Sequence, residues 1–337
     1  MVKRFRESVG ENVPLAPLTT LGVGGPARFF VDADDEDALR DALAWANQAG
    51  VEVALLGGGS NVLVGDAGFG GLVVRVRVRG VKEVPPERDA GARVALEVGA
   101  GEELDALVAS CTAGGHAGIE CLSGIPGYVG ATPIQNVGAY GQEIGGVVSQ
   151  VRVMRRSDGL LETFDNAACR FSYRSSIFKE DLQGMYVVLS VTLALARGGA
   201  PTIRYPELAR EIAERGADAT SLTSVRDVVL AIRRSKSMVV DASDPNHRSA
   251  GSFFINPLVS DEDADRVADR AGAPAAMPRF AAAGGKVKLS AAWLIERAGF
   301  TKGTSDGRVG ISTRHALAIV NLGGATASEI ATFAKRI

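Results

Sequence analysis

The 337-residue sequence predicts a fold of mixed strands and helices, and three observations carry that reading. Strand-like runs fill much of the first 200 residues, with only two segments of helical period among them. The longest segment with neither period, residues 114–146, is rich in glycine. Beyond Arg197-Gly-Gly-Ala-Pro201 the texture turns to amphipathic helices. The length suggests about two domains, and the change of texture places a boundary near 200–220.

Taken in order, Phe29-Phe-Val31 reads as a strand. Asp34-Asp35 then supplies an N-cap, and Ala38, Leu39, Ala42, Leu43 and Ala46 recur at helical spacing until Gly50 stops the helix. Val51 to Leu56 is the next strand and runs into Gly57-Gly-Gly-Ser-Asn61, completing a β-α-β unit. A second unit has strands at 72–79 and 93–98 and a helix over 102–113. In its first strand Arg75, Arg77 and Arg79 alternate with Val74, Val76 and Val78, the pattern of a half-buried strand with a wet face. A structureless stretch as long as 114–146 is either functional or disordered. Its Ile, Val, Tyr and Leu content speaks against disorder. Strands at 147–155, 160–164 and 185–196 follow, then helices at about 206–215 and 223–235, a helix near 290–298 and a strand at 316–321. No internal repeat is visible.

The composition excludes several classes. Apolar residues are 46% and charged residues 23%, as in soluble globular proteins, and the chain is long enough to bury a large core. With 37 basic and 39 acidic residues the net charge is −2 and no basic arm stands out, so nucleic acid is not expected as a partner. Cys111, Cys121 and Cys169 lack CxxC spacing, which suits a reducing compartment without disulfides. His116, His247 and His315 show no metal-ligand spacing, so no metal is expected. Met1 to Glu7 is charged, with no apolar stretch after it, and does not read as a signal peptide. The longest apolar run, Tyr186 to Ala196, is too short to span a bilayer and is broken by Ser190 and Thr192. A cytoplasmic location follows as the expectation.

Glycine is the outlier, at 41 residues against a usual level of about 7%. Three consecutive glycines after a strand let backbone N–H groups approach an anion. A tight strand-to-strand turn accounts for Gly57–Gly59 equally well. Gly99-Ala-Gly101 also follows a strand and opens a helix, but Leu104 stands where a dinucleotide fingerprint needs its third glycine, and Glu102 and Glu103 sit where a diphosphate would dock. It reads as a structural β-α turn. Gly303-Thr-Ser-Asp-Gly307 matches G-x-S-x-G without the strand and helix that a nucleophile elbow requires. The residues alone thus reach a phosphate or dinucleotide ligand and no further.

Five blocks in order are more specific. They are Leu55-Leu-Gly-Gly-Gly-Ser-Asn-Val-Leu-Val64; Ser123-Gly-Ile-Pro-Gly-Tyr-Val-Gly-Ala-Thr-Pro-Ile-Gln-Asn-Val-Gly-Ala-Tyr-Gly-Gln-Glu143; Cys169-Arg-Phe-Ser-Tyr-Arg-Ser-Ser-Ile-Phe-Lys179; Ala250-Gly-Ser-Phe-Phe-Ile-Asn-Pro257; and Val287-Lys-Leu-Ser-Ala-Ala-Trp-Leu-Ile-Glu296. Together they closely resemble the UDP-N-acetylenolpyruvoylglucosamine reductase (MurB) family, over residues 12–335. The resemblance implies an FAD-binding domain of the vanillyl-alcohol-oxidase (PCMH) type in two subdomains, residues 1–66 and 67–205, with a C-terminal α+β substrate-binding lobe over 206–337. It implies non-covalent FAD, NADPH as co-substrate, and a cytoplasmic monomer in peptidoglycan-precursor synthesis that acts on a small-molecule UDP-sugar.

In that scheme Gly57, Gly58, Gly59, Ser60 and Asn61 embrace the FAD diphosphate. Ser123, Gly124, Ile125, Pro126, Gly127, Gly130, Ala131, Gln135, Asn136, Gly138, Ala139 and Tyr140 line diphosphate and isoalloxazine. The chemistry implied is reduction of an enolpyruvyl ether to a lactyl ether, with hydride from flavin N5. Arg174 would stabilise the enolate and Ser252 would donate the proton. Read alone, Arg174 is a surface ion-pair partner and Ser252 a turn or cap residue. Tyr173, Tyr205, Lys236 and Asn256 match the family's substrate contacts, and Tyr205 places the chain with members that have a mobile capping loop. Ala292 stands where the family usually has glycine, and Ile255 where polar residues are frequent. The family's third catalytic group, a glutamate in Leu-x-Pro-Glu about twenty residues past the helix that begins near Ser328, has no match, and Glu329 belongs to the helix start. The expectation is therefore a shortened chain or a weakened enzyme. An oxygen-using flavin oxidase of the same fold and a UDP-sugar-binding protein without turnover remain the alternatives.

Overall fold

The computed structural model describes residues 9–85, 93–272 and 276–337. The N-terminal reading at Met1 to Glu7 lies outside them. The first sheet has the strand order Gly10–Pro14, Pro26–Ala33, Phe69–Val76, Val53–Leu56. Only its first pair is antiparallel, because the helix Glu36–Ala49 carries the chain over to Val53 as a β-α-β crossover. That helix begins and ends as the sequence predicts. The Asp35 side chain accepts from Ala38 N–H at 2.7 Å, and Gly50 closes it at φ 63°.

The second sheet is antiparallel, in the order Leu161–Asp165, Val148–Arg155, Tyr186–Arg197, Arg93–Gly99, Val81–Val84. One apolar core fills the space between the sheets and under the helices Glu36–Ala49 and Leu104–Ala113. It takes Val31, Leu39, Leu43 and Val74 from the first unit and Val98, Leu107, Val151, Leu189 and Leu193 from the second, each buried. The alternation at Arg75 and Arg77 works as expected: Val74 and Val76 turn inward while Arg75 pairs Asp32 through two bonds, 2.5 and 2.6 Å, and Arg77 pairs Asp34 at 3.1 Å.

The helices Pro206–Arg215 and Leu222–Ser235 pack on each other through Leu208, Ile212, Val225, Val229 and Ile232. A three-stranded sheet, Leu258–Val259, Lys286–Leu289 and Arg279–Ala282, follows with the helix Asp261–Arg270, and a second one comprises Ser305–Asp306, Val309–Ile311 and Ile319–Asn321. The sequence shows neither sheet apart from the last strand, since their strands are two to four residues long and give no measurable period. Gly303 to Gly307 runs through the two-residue strand Ser305–Asp306 into the turn of the hairpin at 305–311, so the serine-hydrolase match has no elbow behind it.

The last core joins distant parts of the chain. Leu21 and Val23, fully or nearly buried, pack with Ile295, Ile311, Ile319, Ile330 and Phe333. Asn321 Nδ2 donates to Leu21 O at 2.9 Å. Asp66 accepts from Ala327 N–H, Ser328 N–H and Ser328 Oγ at 2.7, 2.9 and 2.6 Å, which holds the start of the helix Ala327–Arg336. Glu329 completes the capping box with Thr326 and pairs Arg308 at 3.0 Å, so its carboxyl group is committed to the helix end. Cys111, Cys121 and Cys169 are free and buried, and burial pushes their thiols up to about 11, 12 and 12. No helix of the described residues is long and apolar enough to cross a membrane.

Truncating Leu21 to Ala is expected to lower stability by roughly 2–5 kcal/mol, the range for a buried Leu→Ala change. Urea denaturation followed by fluorescence measures it. A loss well under 1 kcal/mol would show that the 19–25 segment is not part of the C-terminal core.

Candidate functional site

The site forms where two glycine-rich loops meet. The strand Val53–Leu56 ends at Gly57, and the loop after it turns against the segment that follows Leu122. Ser60 Oγ donates to Pro126 O at 3.1 Å and Asn61 Nδ2 to Gln135 Oε1 at 3.2 Å. Gly59 tolerates no side chain here: its φ is +65°, and a Cβ would lie 1.8 Å from Leu18 O. Among the described residues the N–H groups of Gly57, Gly58, Gly59, Ser60 and Asn61 donate to no group of the chain. Backbone amides left free in this way can take an anion without any basic side chain.

The second loop hangs on the turn that only imitates a dinucleotide fingerprint. Leu104 N–H donates to Gly127 O at 3.0 Å, Val129 N–H to Glu102 O at 2.8 Å and Gly130 N–H to Ala100 O at 2.9 Å. Glu102 Oε1 accepts from Gly80 N–H at 2.8 Å, so the acid at the diphosphate position is structural, as its sequence suggests. Gly130 is required by packing, since a Cβ there would stand 2.5 Å from that of Ala100. Further along, Asp105 accepts from Gly124 N–H at 2.6 Å and grips Arg226 at 2.6 and 3.1 Å. Burial pushes the Asp105 carboxyl up, but Arg226 and the Gly124 N–H outweigh it and hold it below its ordinary value.

These loops bound a cavity of about 360 Å³. Of the residues expected to hold a cofactor, Ser60, Asn61, Ile125, Pro126, Gly127, Ala131, Gln135 and Gly138 are on its wall, together with Tyr173, Arg174, Ser252 and Asn256. Gly57, Gly58, Gly59, Ser123, Gly124, Gly130, Asn136, Ala139 and Tyr140 are not among its lining residues. Ser123 is fully buried and gives its hydroxyl to Glu120 O at 2.6 Å. Asn136 donates to Glu143 Oε2 and Ser172 O at 2.8 and 2.9 Å and accepts from Gly145 N–H, which ties this loop to the turn that carries Arg174.

Ser172 and Ser175 exchange both backbone hydrogen bonds, leaving Tyr173 and Arg174 as a two-residue turn. Arg174 takes φ 55°, a conformation that costs a non-glycine residue about 1–3 kcal/mol and persists only where its surroundings impose it. Here Arg174 Nη2 donates to Gly138 O at 2.8 Å and Lys179 Nζ to Arg174 O at 2.8 Å. The Lys288 ammonium, from the C-terminal lobe, stands 5.0 Å from the Tyr173 ring centroid. Among the described residues Arg174 has no carboxylate partner, although it lines the cavity. Across the same space Ser252 Oγ is 3.0 Å from His315 Nε2. Asn256 Oδ1 accepts from Ala291 N–H at 2.9 Å, at the start of the helix Ala291–Arg297.

Tyr205 and Lys236 form a separate cluster outside that lining. Tyr205 packs edge-on against Tyr140 at 5.6 Å, and Lys236 Nζ bonds Glu207 at 2.6 Å and stands 5.9 Å from the Tyr140 centroid. Burial pushes the Tyr140 phenol up to about 12. Two residues that sequence reasoning missed complete the surroundings. Arg233, 7% exposed, lines the cavity, donates to Met238 O at 2.7 Å and Gly124 O at 3.2 Å, and keeps a buried Nε without a partner. His315 is drawn down to about 4 by burial first and then by the cations Lys236, Lys302 and Arg233. Of the run Arg233-Arg-Ser-Lys236 the family resemblance marks only the lysine, and no spacing signal marks His315.

Residues 27–165 match the family of the FAD binding domain, and residues 244–337 that of the UDP-N-acetylenolpyruvoylglucosamine reductase C-terminal domain. The chain is 46% identical over 335 residues to the UDP-N-acetylenolpyruvoylglucosamine reductase of Thermobifida fusca, covering 98% of this chain and 93% of that one. It is 44% identical over 334 residues to the enzyme of that name from Cutibacterium acnes, covering 98% and 85%. Its structure resembles that of the Thermus caldophilus UDP-N-acetylenolpyruvylglucosamine reductase with a TM-score of 0.64 and 27% identity, over 96% of this chain and 92% of the other.

The Asp105 anchor has a pH signature. A carboxyl group held low in the folded state contributes stability above its unfolded value, near 3.9, and loses it as pH falls through the lower folded value. The gap in Tm between the wild type and Asp105→Asn should therefore be constant above about pH 5 and shrink below about pH 4. A gap that widens toward acid would contradict the assignment.

Proposed function

The chain belongs to the UDP-N-acetylenolpyruvoylglucosamine reductase family, FAD-dependent enzymes that reduce an enolpyruvyl UDP-N-acetylglucosamine with NADPH in peptidoglycan-precursor synthesis, and we propose that Arg174 and Ser252 carry that reduction in the cavity between its glycine loops and its C-terminal lobe. The observation that carries this reading is their placement. Among the described residues, an arginine without a carboxylate partner and a serine hydroxyl line one space with the loops that match the FAD-binding family.

The residues fit FAD. The unpartnered N–H groups of Gly57 to Asn61 supply neutral donors for a diphosphate in a chain with no cationic surplus, and Ile125, Pro126 and Val137 give the cavity an apolar wall for a flat ring system. Bound there, FAD would supply the hydride chemistry that links NADPH to the vinyl carbon of the substrate. The remaining work belongs to side chains. As the hydride arrives, negative charge develops toward the substrate carboxylate, and Arg174, fixed through Gly138 O, is the cation placed to stabilise it. A preorganised group of this kind is worth about 10²–10³ in rate. Ser252 Oγ supplies the proton to the neighbouring carbon. A serine is a poor acid in water, and the strong basicity of an enolate makes it adequate.

Tyr205, Lys236 and Asn256 serve the UDP portion in this reading, with Lys236 exchanging Glu207 for a phosphate oxygen. This reading assigns the enzyme to the cytoplasm, a reducing compartment that suits three buried free thiols.

Flavin absorption bands in the purified protein test the cofactor at once. In the half-reactions, Ser252→Ala should still allow NADPH to bleach the flavin while reoxidation by the enolpyruvyl substrate falls by about 10²–10⁴. Equal losses in both halves would overturn the role of Ser252. Rapid reoxidation of the wild-type flavin by air, with none by the substrate, would identify an oxidase instead.

A further inference from the structure

Ser252 sits on a backbone that is tightly fixed. Ser249 pairs with Val320, and Phe253 N–H donates to Leu317 O at 2.8 Å, so residues 249–253 lie along the chain that carries His315. The turn bearing His315 is equally fixed. His315 N–H donates to the buried Ser312 Oγ at 3.3 Å, and Ala318 N–H closes on His315 O at 3.1 Å. Next to it, the buried Asn246 accepts from Thr313 N–H and donates to Thr313 Oγ1, both at 3.0 Å. Two segments, hydrogen-bonded to each other and held by Ser312 and Asn246, thus bring His315 Nε2 to 3.0 Å from Ser252 Oγ.

A serine oxygen bears one hydrogen and two lone pairs. Were its hydrogen donated to the imidazole, none would be left for the substrate. Were both lone pairs empty of donors, nothing would stabilise the oxygen as its hydrogen leaves. From this contact we propose that His315 is the positioning residue of Ser252: its Nε2–H donates to Oγ and leaves the hydroxyl hydrogen directed at the substrate carbon. The inference rests on the reading of Ser252 as proton donor.

The step balances without a further reactant. The Ser252 O–H bond breaks, its proton forms the new C–H bond with the electron pair of the enolate, and the Ser252 oxygen keeps the O–H pair. The Nε2–H hydrogen bond strengthens toward that anion, and Ser252, which is exposed, takes a proton back from water. An imidazole kept neutral by burial and by the surrounding Lys236, Lys302 and Arg233 has one N–H and can hold it on Nε2 throughout.

The test uses the FAD-loaded protein and the enolpyruvyl UDP-sugar in single-turnover reoxidation of the reduced flavin, with His315→Gln, His315→Met and Ser252→Ala. Gln and Met have similar shapes, and only Gln donates. The expected result is slowing of His315→Met by about 10- to 100-fold, the worth of a hydrogen bond to a charged group, with His315→Gln restoring most of the rate. Flavin absorbance per chain and substrate Kd, which report folding and binding, should be the same in both. A His315→Met rate equal to wild type, or equal slowing of Gln and Met, overturns the inference while a slow Ser252→Ala leaves the serine's role standing. Wild-type reoxidation in Ser252→Ala overturns that underlying role instead.

Discussion

The carboxyl group of Glu120 is the constraint on which the site depends. It is fully buried, and it accepts from Gly118 N–H at 2.8 Å, Gln142 Nε2 at 2.7 Å and Thr202 N–H at 2.7 Å. A buried acid is tolerated only when its oxygens are fully partnered, so these three donors are held together or not at all. Two of them stand at the ends of the glycine-rich segment, which closes it into a loop. The third fixes the point where the chain leaves the antiparallel sheet for the helices Pro206–Arg215 and Leu222–Ser235. Gln142 also accepts from Cys121 N–H at 2.7 Å, which extends the same network.

With its ends fixed, the loop needs only lateral support. Ala100 and Glu102 provide it on one side, Asp105 with Arg226 on another, and Ser60 on the third. The result is a wall built largely of backbone, with cations set around it: Arg174, Arg233 and Lys288 from three separate elements. Arg174 and Arg233 are held by hydrogen bonds to carbonyls, Gly138 O and Gly124 O, and Lys288 stands over the rings of Tyr173 and Phe280. A site of this kind favours anionic substrates and developing negative charge.

Much of this was legible in the sequence, and the residues show why. The helix Glu36–Ala49 carried its own cap, period and stop, and the long strands announced themselves by β-branched runs. The glycine clusters located the cavity, yet glycine marks close backbone approach of any kind. Gly130 accommodates Ala100 and Gly59 accommodates Leu18 O, while neither lines the cavity. The short strands at 258–259, 279–282 and 305–311 were invisible because two to four residues carry no period. Glu120, Arg233 and His315 were missed for another reason: each acquires its partners from residues far away in the chain, which no local pattern encodes. Leu21 and Val23 likewise join a core nearly 300 residues distant, contributed by the helix Ala327–Arg336.

In the proposed reading one cavity, bounded by the glycine loops, the Arg174 turn and the Ser252 segment, serves both the hydride donor and the hydride acceptor. Initial-rate measurements that vary NADPH against the enolpyruvyl UDP-sugar test that claim most directly. Occupation in turn predicts parallel double-reciprocal lines, with each substrate inhibiting competitively against the other at high concentration. Lines that intersect would show both substrates bound at once and would contradict a single shared site.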